Sequence, residues 1–302
     1  MSERARGATV WHVTALPSTG PAPAPHSGRW LANGTFADRV AVVTGGGTGL
    51  GLQISRGLAA LGATVVIASR SSAHHGAFLE EARARGWNAH GLVLDVREAK
   101  DVRLAAEQIT LDHGRVDILV NNAAGNFVCP AERLSSNAWR AVLGIVLDGT
   151  FYCSQHFGRG MIARGEGRIL NIVATYAWTG MAGVVHSASA KAGVLAMTRS
   201  LAVEWARYGL RVNAIAPGPF ESDGARANLW PDEATKLALE AQIPLKRFAT
   251  TDEVATQCLW LLSPVSDYVT GECLVIDGGA SIGGKMWAPG TRFSRSRDKD
   301  PE

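Results

Sequence analysis

The stretch TGGGTGLG at residues 44–51 decides how the rest of the chain is interpreted. It follows the short apolar run RVAVVT and precedes GLQISRGLAALG, where apolar residues recur at helical spacing at Leu52, Ile54, Leu58 and Leu61. Glycines between a buried strand and a helix let the backbone turn sharply and approach a pyrophosphate, whose charge the helix N-terminus stabilises. A glycine-rich turn alone is weak evidence, but this context favours a dinucleotide-binding turn over a simple tight turn.

Further apolar runs follow, separated by segments long enough for helices of about 15 residues. Together with the first run they give the predicted strands at 39–44, 63–70, 90–96, 116–125, 167–174, 211–217 and 273–279. This alternation predicts an α/β fold with a single doubly wound parallel sheet of the Rossmann type, about seven strands, and helices on both faces.

The domain organisation follows from composition. We expect a flexible extension rich in Pro, Ala and Gly at 1–36, a Rossmann-type dinucleotide-binding catalytic domain at 37–283, and a C-terminal tail at 284–302. Charged residues make up 19% of the 302 residues and the net charge is +3, which argues against nucleic acid as the main partner. No apolar run approaches the ~20 residues of a membrane helix. A soluble protein with no membrane partner and a cytoplasmic location is therefore predicted.

The four cysteines are Cys129, Cys153, Cys258 and Cys273, and they are far apart in the sequence. Zinc sites and redox motifs need close pairs, so we expect reduced, buried thiols and no metal.

The end of the second predicted strand indicates which nicotinamide cofactor fits. NAD-binding chains place an acidic residue there, whereas this chain has Ser69, Arg70 and Ser71 and no acid before Glu80. A guanidinium pairs bidentately with a 2′-phosphate, so NADPH/NADP is the favoured cofactor and NAD the less favoured one. Two alternatives to this role of Arg70 remain open: its side chain could point to solvent or stack on the adenine ring.

The segment YAWTGMAGVVHSASAK at 176–191 carries the candidate chemistry. Ser187 and Lys191 are four residues apart and share one face of a predicted helix, and Tyr176 is expected in a loop that folds back over them. His186, beside Ser187, is expected to pack at the rim of the pocket, with acid/base catalysis as the less favoured alternative.

Four motifs in order resemble the short-chain dehydrogenase/reductase superfamily from about residue 36 to 283: TGGGTGLG, LDV around Asp95, NNAAG at 121–125, and PGPF at 217–220. The resemblance implies that Asp95 and Val96 contact adenine, while Asn121 also suits a purely structural role at a strand end. The implied cofactor-binding residues are Thr44, Gly45, Gly47, Thr48, Gly49, Leu50, Gly51, Ser69, Arg70, Asp95, Val96, Asn122, Ala123, Ala124, Lys191, Pro217, Gly218 and Phe220.

The chain departs from the usual catalytic set of that superfamily. Ser187 occupies the position of the catalytic Tyr, Ala174 that of the Ser, and Val146 that of the helical Asn, so only Lys191 remains. Acid/base chemistry on a hydroxyl therefore loses its main groups.

One branch, the 2,4-dienoyl-CoA reductases, is similar in this substitution pattern and in the segments AGNF, IVLDGT, HSASAKAGV and LAVEW. The resemblance implies that Asn126 and Tyr176 bind the substrate oxygen, that Lys191 holds the cofactor ribose and that Ser187 supports them. It implies an NADPH-dependent reductase of 2,4-dienoyl or enoyl thioesters, carried on coenzyme A or acyl carrier protein.

Two other functions stay open, namely a carbonyl reductase in which Tyr176 donates the proton, and a cofactor-binding scaffold without catalysis. Each residue also has a structural alternative: Asn126 as a strand-end hydrogen-bonding group, Tyr176 as a packing residue and Ser187 as a helix-start hydroxyl.

Helices predicted at 137–163 and 187–205 carry apolar residues on more than one side, and the resemblance implies a homo-oligomer, a dimer or tetramer. The polar segment 221–233 is predicted to form a substrate lid.

Overall fold

The computed structural model describes residues 31–221 and 232–282. Its centre is a sheet of seven parallel strands in the order β3-β2-β1-β4-β5-β6-β7. The strands are β1 (Val40–Thr44), β2 (Thr64–Ser69), β3 (Ala89–Val93), β4 (Ile118–Asn121), β5 (Gly167–Ile172), β6 (Leu210–Pro217) and β7 (Cys273–Ile276). The predicted fold class is therefore confirmed. Six strands are shorter than predicted, and β6 begins one residue earlier than predicted.

The α-helices of the described residues vary in length from 4 residues in α6 to 21 in α7. They are α1 (Gly49–Ala60), α2 (Gly76–Arg85), α3 (Ala99–His113), α4 (Ser136–Leu143), α5 (Gly149–Arg164), α6 (Tyr176–Thr179), α7 (Val185–Trp205), α8 (Glu233–Gln242) and α9 (Thr251–Leu262). None of these helices is both long enough and apolar enough to span a bilayer.

Buried apolar residues cover both faces of the sheet, as a doubly wound fold requires. On one face α1 and α9 pack on the strands through residues such as Ile54 and Cys258. On the other face α3, α5 and α7 contribute residues such as Val102, Phe157 and Leu201. The core leaves the carboxyl ends of the strands free to carry polar side chains.

The single helix predicted at 137–163 is interrupted. A π-helical turn at Gly144–Asp148 separates α4 from α5, and it contains the buried Val146. A π-helical turn accommodates one extra residue without ending the helix. The apolar pattern is shifted around the helix at that point but continues, so the sequence indicates one long helix.

The folded part also begins ahead of the boundary predicted at residue 37. Phe36 is 1% exposed and packs in the core, and its N–H donates to the carbonyl of Leu61 at 3.0 Å. Burial of this aromatic ring outweighs the loop-like composition around it. Residues 1–30, most of the predicted lid at 222–231, and the tail from 283 lie outside the described residues.

Candidate active site

A cleft of about 450 Å³ opens at the carboxyl ends of the central strands, where the strand order switches between β1 and β4. In open parallel sheets this switch point is where ligands bind. Its walls come from the glycine-rich turn, the end of β2, the segment after β3 and the end of β4. They are Gly45, Gly47, Thr48, Ala68, Ser69, Arg70, Ser71, His74, Leu94, Asp95, Val96, Asn122, Ala123, Ala124 and Ile145.

The glycine-rich turn is packed too closely for side chains. Gly45 has a φ of 65°, in the left-handed region that favours glycine. A Cβ on Gly47 would lie 1.9 Å from the carbonyl oxygen of His74, and one on Gly51 would lie 2.2 Å from that of Gly45. The turn thus brings bare backbone to the N-terminus of α1, the arrangement that suits a pyrophosphate. These residues fit a dinucleotide.

Partly buried hydrogen bonds join this turn to the end of β4. The Thr44 hydroxyl accepts from the backbone N–H groups of Asn122 and Ala123, each at 3.0 Å. The side-chain amide of Asn122 donates to the carbonyls of Thr44 and Gly45 at 3.0 and 3.2 Å. Thr44 and Asn122 therefore fix the relative position of the two cleft walls.

The predicted adenosine end of the cleft combines Ser69, Arg70 and Asp95. Ser69 is half-buried and Arg70 is exposed. Arg97 donates to both carboxylate oxygens of Asp95, from Nε to Oδ1 and Oδ2 at 3.0 Å each and from Nη2 to Oδ2 at 2.5 Å. Donation from Arg97 lowers the pKa of Asp95, and the charge of Arg70 adds to this effect. Asp95 is therefore an ionised hydrogen-bond acceptor beside the cleft.

The remaining residues predicted to bind cofactor lie around this cleft or behind it. Gly49, Leu50 and Gly51 form the first turn of α1, where Leu50 and Gly51 are buried. Pro217 ends β6, while Gly218 donates to the carbonyl of Ile276 at 2.8 Å and Phe220 packs against the core. Asn121 has a structural environment, because its amide donates to Asn171 at 2.8 Å and to Ser154 at 3.0 Å.

Tyr176 lies in α6, a four-residue helix, and not in the loop that was predicted. Its hydroxyl is 3.1 Å from the Ser187 hydroxyl in the first turn of α7. The predicted approach of these two groups is thus present. Burial raises the pKa of Tyr176, and the hydrogen bond with Ser187 opposes this only in part. The phenol therefore stays protonated at neutral pH.

Lys191 lies one helical turn beyond Ser187 and is 7% exposed. Its ammonium group donates a hydrogen bond to the backbone carbonyl of Ile172, the last residue of β5. Burial lowers the Lys191 pKa from 10.5 to about 8. A buried cation with one neutral partner in the described residues is an unfavourable arrangement unless it serves a ligand.

Asn126 is half-buried in the loop after β4, and its side-chain oxygen accepts from the N–H of Phe127 at 2.9 Å. This bond orients the side chain so that its NH₂ group is the part left to donate. The loop is attached to the entrance of α7, because the N–H of Cys129 donates to the carbonyl of Gly183 at 2.8 Å. The described residues show no hydrogen bond between Asn126 and Tyr176.

His186 is fully buried, in contrast to its predicted place at the rim of the pocket. Its ring packs on that of Phe127 with centroids 4.5 Å apart, which shields it from solvent. Neither ring nitrogen has a hydrogen-bond partner within the described part of the chain. Burial lowers the pKa of His186, while the Phe127 backbone offsets part of that effect. This environment supports a packing role for His186, as a neutral residue of α7 that contacts the loop containing Asn126 and Phe127.

The thiols are only partly as expected. Cys153 and Cys258 are buried, but Cys129 and Cys273 are half-buried; all four are free. Groups of three or more metal-ligating side chains are absent from residues 31–221 and 232–282. Five residues that line the cleft were not among the predicted cofactor-binding residues, namely Ala68, Ser71, His74, Leu94 and Ile145. Ser71 directly follows the Ser69–Arg70 pair that was predicted.

Known proteins share this fold and sequence. The family described as enoyl-(acyl carrier protein) reductase matches residues 45–281. A probable 2,4-dienoyl-CoA reductase, (2E)-enoyl-CoA-producing, of Bacillus subtilis is 44% identical over 80% of this chain and 96% of its own. A peroxisomal 2,4-dienoyl-CoA reductase, (3E)-enoyl-CoA-producing, of Pongo abelii is 42% identical over 80% of this chain and 84% of its own.

A solved structure extends the likeness to a complex with cofactor. The gluconate 5-dehydrogenase of Burkholderia cenocepacia, in complex with NADP and tartrate, superposes with a TM-score of 0.79 at 35% identity. The match covers 85% of this chain and 98% of that one. With these matches, the cleft at the switch point and the seven-stranded sheet, the chain belongs to the short-chain dehydrogenase/reductase superfamily, a family of oxidoreductases, and has 2,4-dienoyl-CoA reductases among its relatives.

Proposed function

We propose that the protein is an NADPH-dependent reductase of 2,4-dienoyl thioesters. The observation that carries this proposal is the 3.1 Å contact between the hydroxyls of Tyr176 and Ser187, one helical turn from Lys191. A tyrosine hydroxyl thus reaches the helix face on which its superfamily places the catalytic tyrosine, although position 187 itself holds serine. The dienoyl-CoA reductases among the relatives support the substrate class.

Reduction of a conjugated dienoyl thioester adds hydride to the distal diene carbon and drives negative charge to the thioester oxygen. When bound, NADPH supplies that hydride. The protein must then stabilise the oxygen, and two hydrogen-bond donors suffice. Asn126 supplies an amide N–H and Tyr176 a phenolic O–H. Losing one donor of such an oxyanion hole typically costs ~3 kcal/mol of transition-state stabilisation.

The hydrogen bond between Tyr176 and Ser187 gives Ser187 a defined task. If the serine donates to the tyrosine oxygen, the tyrosine proton is left for the substrate. The raised pKa of Tyr176 suits a group that donates a hydrogen bond and keeps its proton. It suits a proton-transferring acid less well, which weighs against the carbonyl reductase alternative. Water supplies the proton that completes the reduction: addition at the α carbon gives the 3-enoyl thioester, and addition at the γ carbon gives the 2-enoyl thioester.

Lys191 holds a positive charge at the end of β5, beneath the face that carries Ser187. We assign it to the nicotinamide ribose, where it orients the cofactor and favours the developing anion. Lys191 is 7% exposed, so solvent does little to screen this charge, and the same burial lowers its pKa.

Arg70 carries the cofactor assignment. It is exposed at the end of β2 on the cleft wall, without an acid from position 69 to 71. Ser69, Arg70 and Ser71 offer two hydroxyls and one guanidinium to a 2′-phosphate. The NADP bound by the gluconate 5-dehydrogenase supports this choice.

The test is turnover of 2,4-hexadienoyl-CoA with NADPH or NADH, followed by mass spectrometry and NMR of the product. We expect consumption of NADPH in preference to NADH, and a product that has gained two hydrogens at the diene and kept its carbonyl. Tyr176→Phe and Asn126→Ala should each reduce turnover while NADPH still binds. An alcohol product from a carbonyl substrate would replace the proposal by the carbonyl reductase, and cofactor binding with no turnover of any dienoyl thioester would favour the scaffold.

The same turnover experiment, run with thioesters of coenzyme A and of acyl carrier protein, identifies the preferred carrier. Product analysis also gives the position of the remaining double bond. The two named relatives produce (2E)- and (3E)-enoyl-CoA respectively, so the NMR spectrum distinguishes these outcomes.

A homo-oligomer formed through α5 and α7 remains our proposal, supported by the exposed Phe151 and Val203 on those helices. The cytoplasmic location stays a prediction.

A further inference from the structure

The loop between β2 and α2 contains a buried histidine that the proposed chemistry does not use. A short 3₁₀ turn, Ser72–His74, leads from the exposed Arg70 to His75, which is only 5% exposed. The imidazole lies against β3, where a Cβ on Gly91 would come within 2.7 Å of His75 Nδ1. Glycine at position 91 therefore leaves the space that the ring occupies.

His75 is hydrogen-bonded to the residue that ends β2. Its Nε2 lies 2.7 Å from the Ser69 hydroxyl oxygen. The same hydroxyl donates to the carbonyl of Ser71 at 3.0 Å. A serine has one proton to donate, so in this arrangement the histidine Nε2–H is the donor to the Ser69 oxygen.

This order of donors matters because Ser69 lines the cleft beside Arg70. If His75 holds the Ser69 oxygen through its own N–H, the Ser69 proton can turn from the Ser71 carbonyl to a ligand anion without loss of the His75 bond. The Ser71 carbonyl would keep a second donor, the N–H of His74 at 3.3 Å. Burial, and then the neighbouring His74, lower the pKa of His75, in agreement with a neutral ring carrying one N–H.

We propose that His75 is a positioning residue for the cofactor 2′-phosphate: its ring N–H fixes the Ser69 oxygen and leaves the Ser69 proton to the phosphate, beside Arg70. The histidine itself does not contact the phosphate. This inference rests on the proposed preference for NADPH and adds a residue through which that preference is set.

The test measures binding of adenosine 2′,5′-bisphosphate (2′,5′-ADP) and adenosine 5′-monophosphate (5′-AMP) to the full-length protein by isothermal titration calorimetry. These probes differ only in the 2′-phosphate, and neither requires turnover. For the natural chain we expect clearly tighter binding of 2′,5′-ADP. Loss of one charge-assisted hydrogen bond corresponds to ~10- to 100-fold in affinity, so His75→Leu should reduce the 2′,5′-ADP preference by ~10-fold or more. Affinity for 5′-AMP should be unchanged, which also shows that the variant is folded.

Three further variants separate positioning from general damage. His75→Gln keeps an N–H donor and should recover part of the preference. Gly91→Ala pushes on the ring and should lower it. His90→Leu is the matched control, because His90 is exposed on β3 and bonds to Asn88 at 2.9 Å, away from the cleft; the preference should not change.

A double-mutant cycle decides whether His75 acts through Ser69. The pair Ser69→Ala with His75→Leu should be no worse for the 2′,5′-ADP preference than Ser69→Ala alone. Additive losses would overturn the proposed route, and a His75→Leu variant that keeps the full preference would overturn the role of His75 while leaving NADPH as cofactor. Equal affinity of the natural chain for both probes would overturn the NADPH assignment itself, and this inference with it.

Discussion

Replacing Lys191 by methionine should change the stability of the protein in a way that depends on pH. Relative to the natural chain, the variant should be more stable near pH 7 than near pH 10. The same substitution removes the cation from the active site. The side chain is 7% exposed, and its only hydrogen bond found in the described residues is to the carbonyl of Ile172. Methionine is of similar length and carries no charge to desolvate. The variant therefore isolates the energetic cost of holding a charge at this position.

The magnitude follows from the pKa. A fall in the Lys191 pKa from 10.5 to about 8 corresponds to about 3 kcal/mol of unfavourable free energy for the buried charge. Below pH 8 the folded and unfolded chains both hold this proton, so the cost is complete. Between pH 8 and 10.5 the unfolded chain binds more protons than the folded one, so stability of the natural chain rises with pH. The unpaired Ile172 carbonyl of the variant costs about 1–3 kcal/mol at every pH.

The assay is urea unfolding of both proteins between pH 7 and pH 10, with the free energies of unfolding compared at each pH. Other groups titrate in both proteins and cancel from the difference. The variant should lose about 2–3 kcal/mol relative to the natural chain over this interval. Lys100→Met, on the exposed side of α3, is the matched control and should show no such trend. A difference for Lys191→Met that stays constant with pH would refute the inference that burial depresses this pKa.

Three other results are expected. Tyr176→Phe should lower kcat with a dienoyl thioester ~100-fold and leave the NADPH dissociation constant, measured by nucleotide fluorescence, unchanged; an equal loss of NADPH affinity would contradict the oxyanion role. The kcat/KM of the natural chain should fall as pH rises through about 8, because Lys191 loses its charge, whereas any residual activity of Lys191→Arg should lack this decline since arginine stays protonated. Gly47→Ala should abolish NADPH binding in calorimetry, because its Cβ would lie 1.9 Å from the His74 carbonyl oxygen; retained affinity would show that the turn does not approach the nucleotide.

The sequence was sufficient for those features that depend on local pattern. Apolar runs predicted all seven strands, and the glycines at 44–51 predicted where the cleft opens, because strand burial and positive φ restrict residue choice strongly. The sequence allowed Tyr176 to fold back over Ser187 and Lys191 but left their approach open; in the structure Tyr176 contacts Ser187. The sequence did not predict the secondary structure around Tyr176, which is a short helix and not a loop. Four residues are too few for a helical periodicity to be recognised.

Other features depend on contacts between distant segments and left no local signal. The sequence placed Phe36 in the N-terminal extension. In the structure it lies in the core and donates a backbone hydrogen bond to Leu61, a contact that the surrounding sequence does not indicate. His186 could be assigned to the rim or the interior only once Phe127 was placed beside it. His75 acquires its partner from β2 and its space from Gly91 on β3, so no stretch of sequence around it predicts either.

The hydrogen bonds from Asn122 and Ala123 to Thr44 also bear on how the protein reaches its active form during folding. They join groups 78 and 79 residues apart in the chain, across neighbouring parallel strands. Pairing of such distant segments carries a large loop-closure entropy and is slow compared with helix formation. Nucleotide binding should therefore return late in refolding, after most far-ultraviolet circular dichroism has recovered, and a mononucleotide probe would report completion of the central sheet.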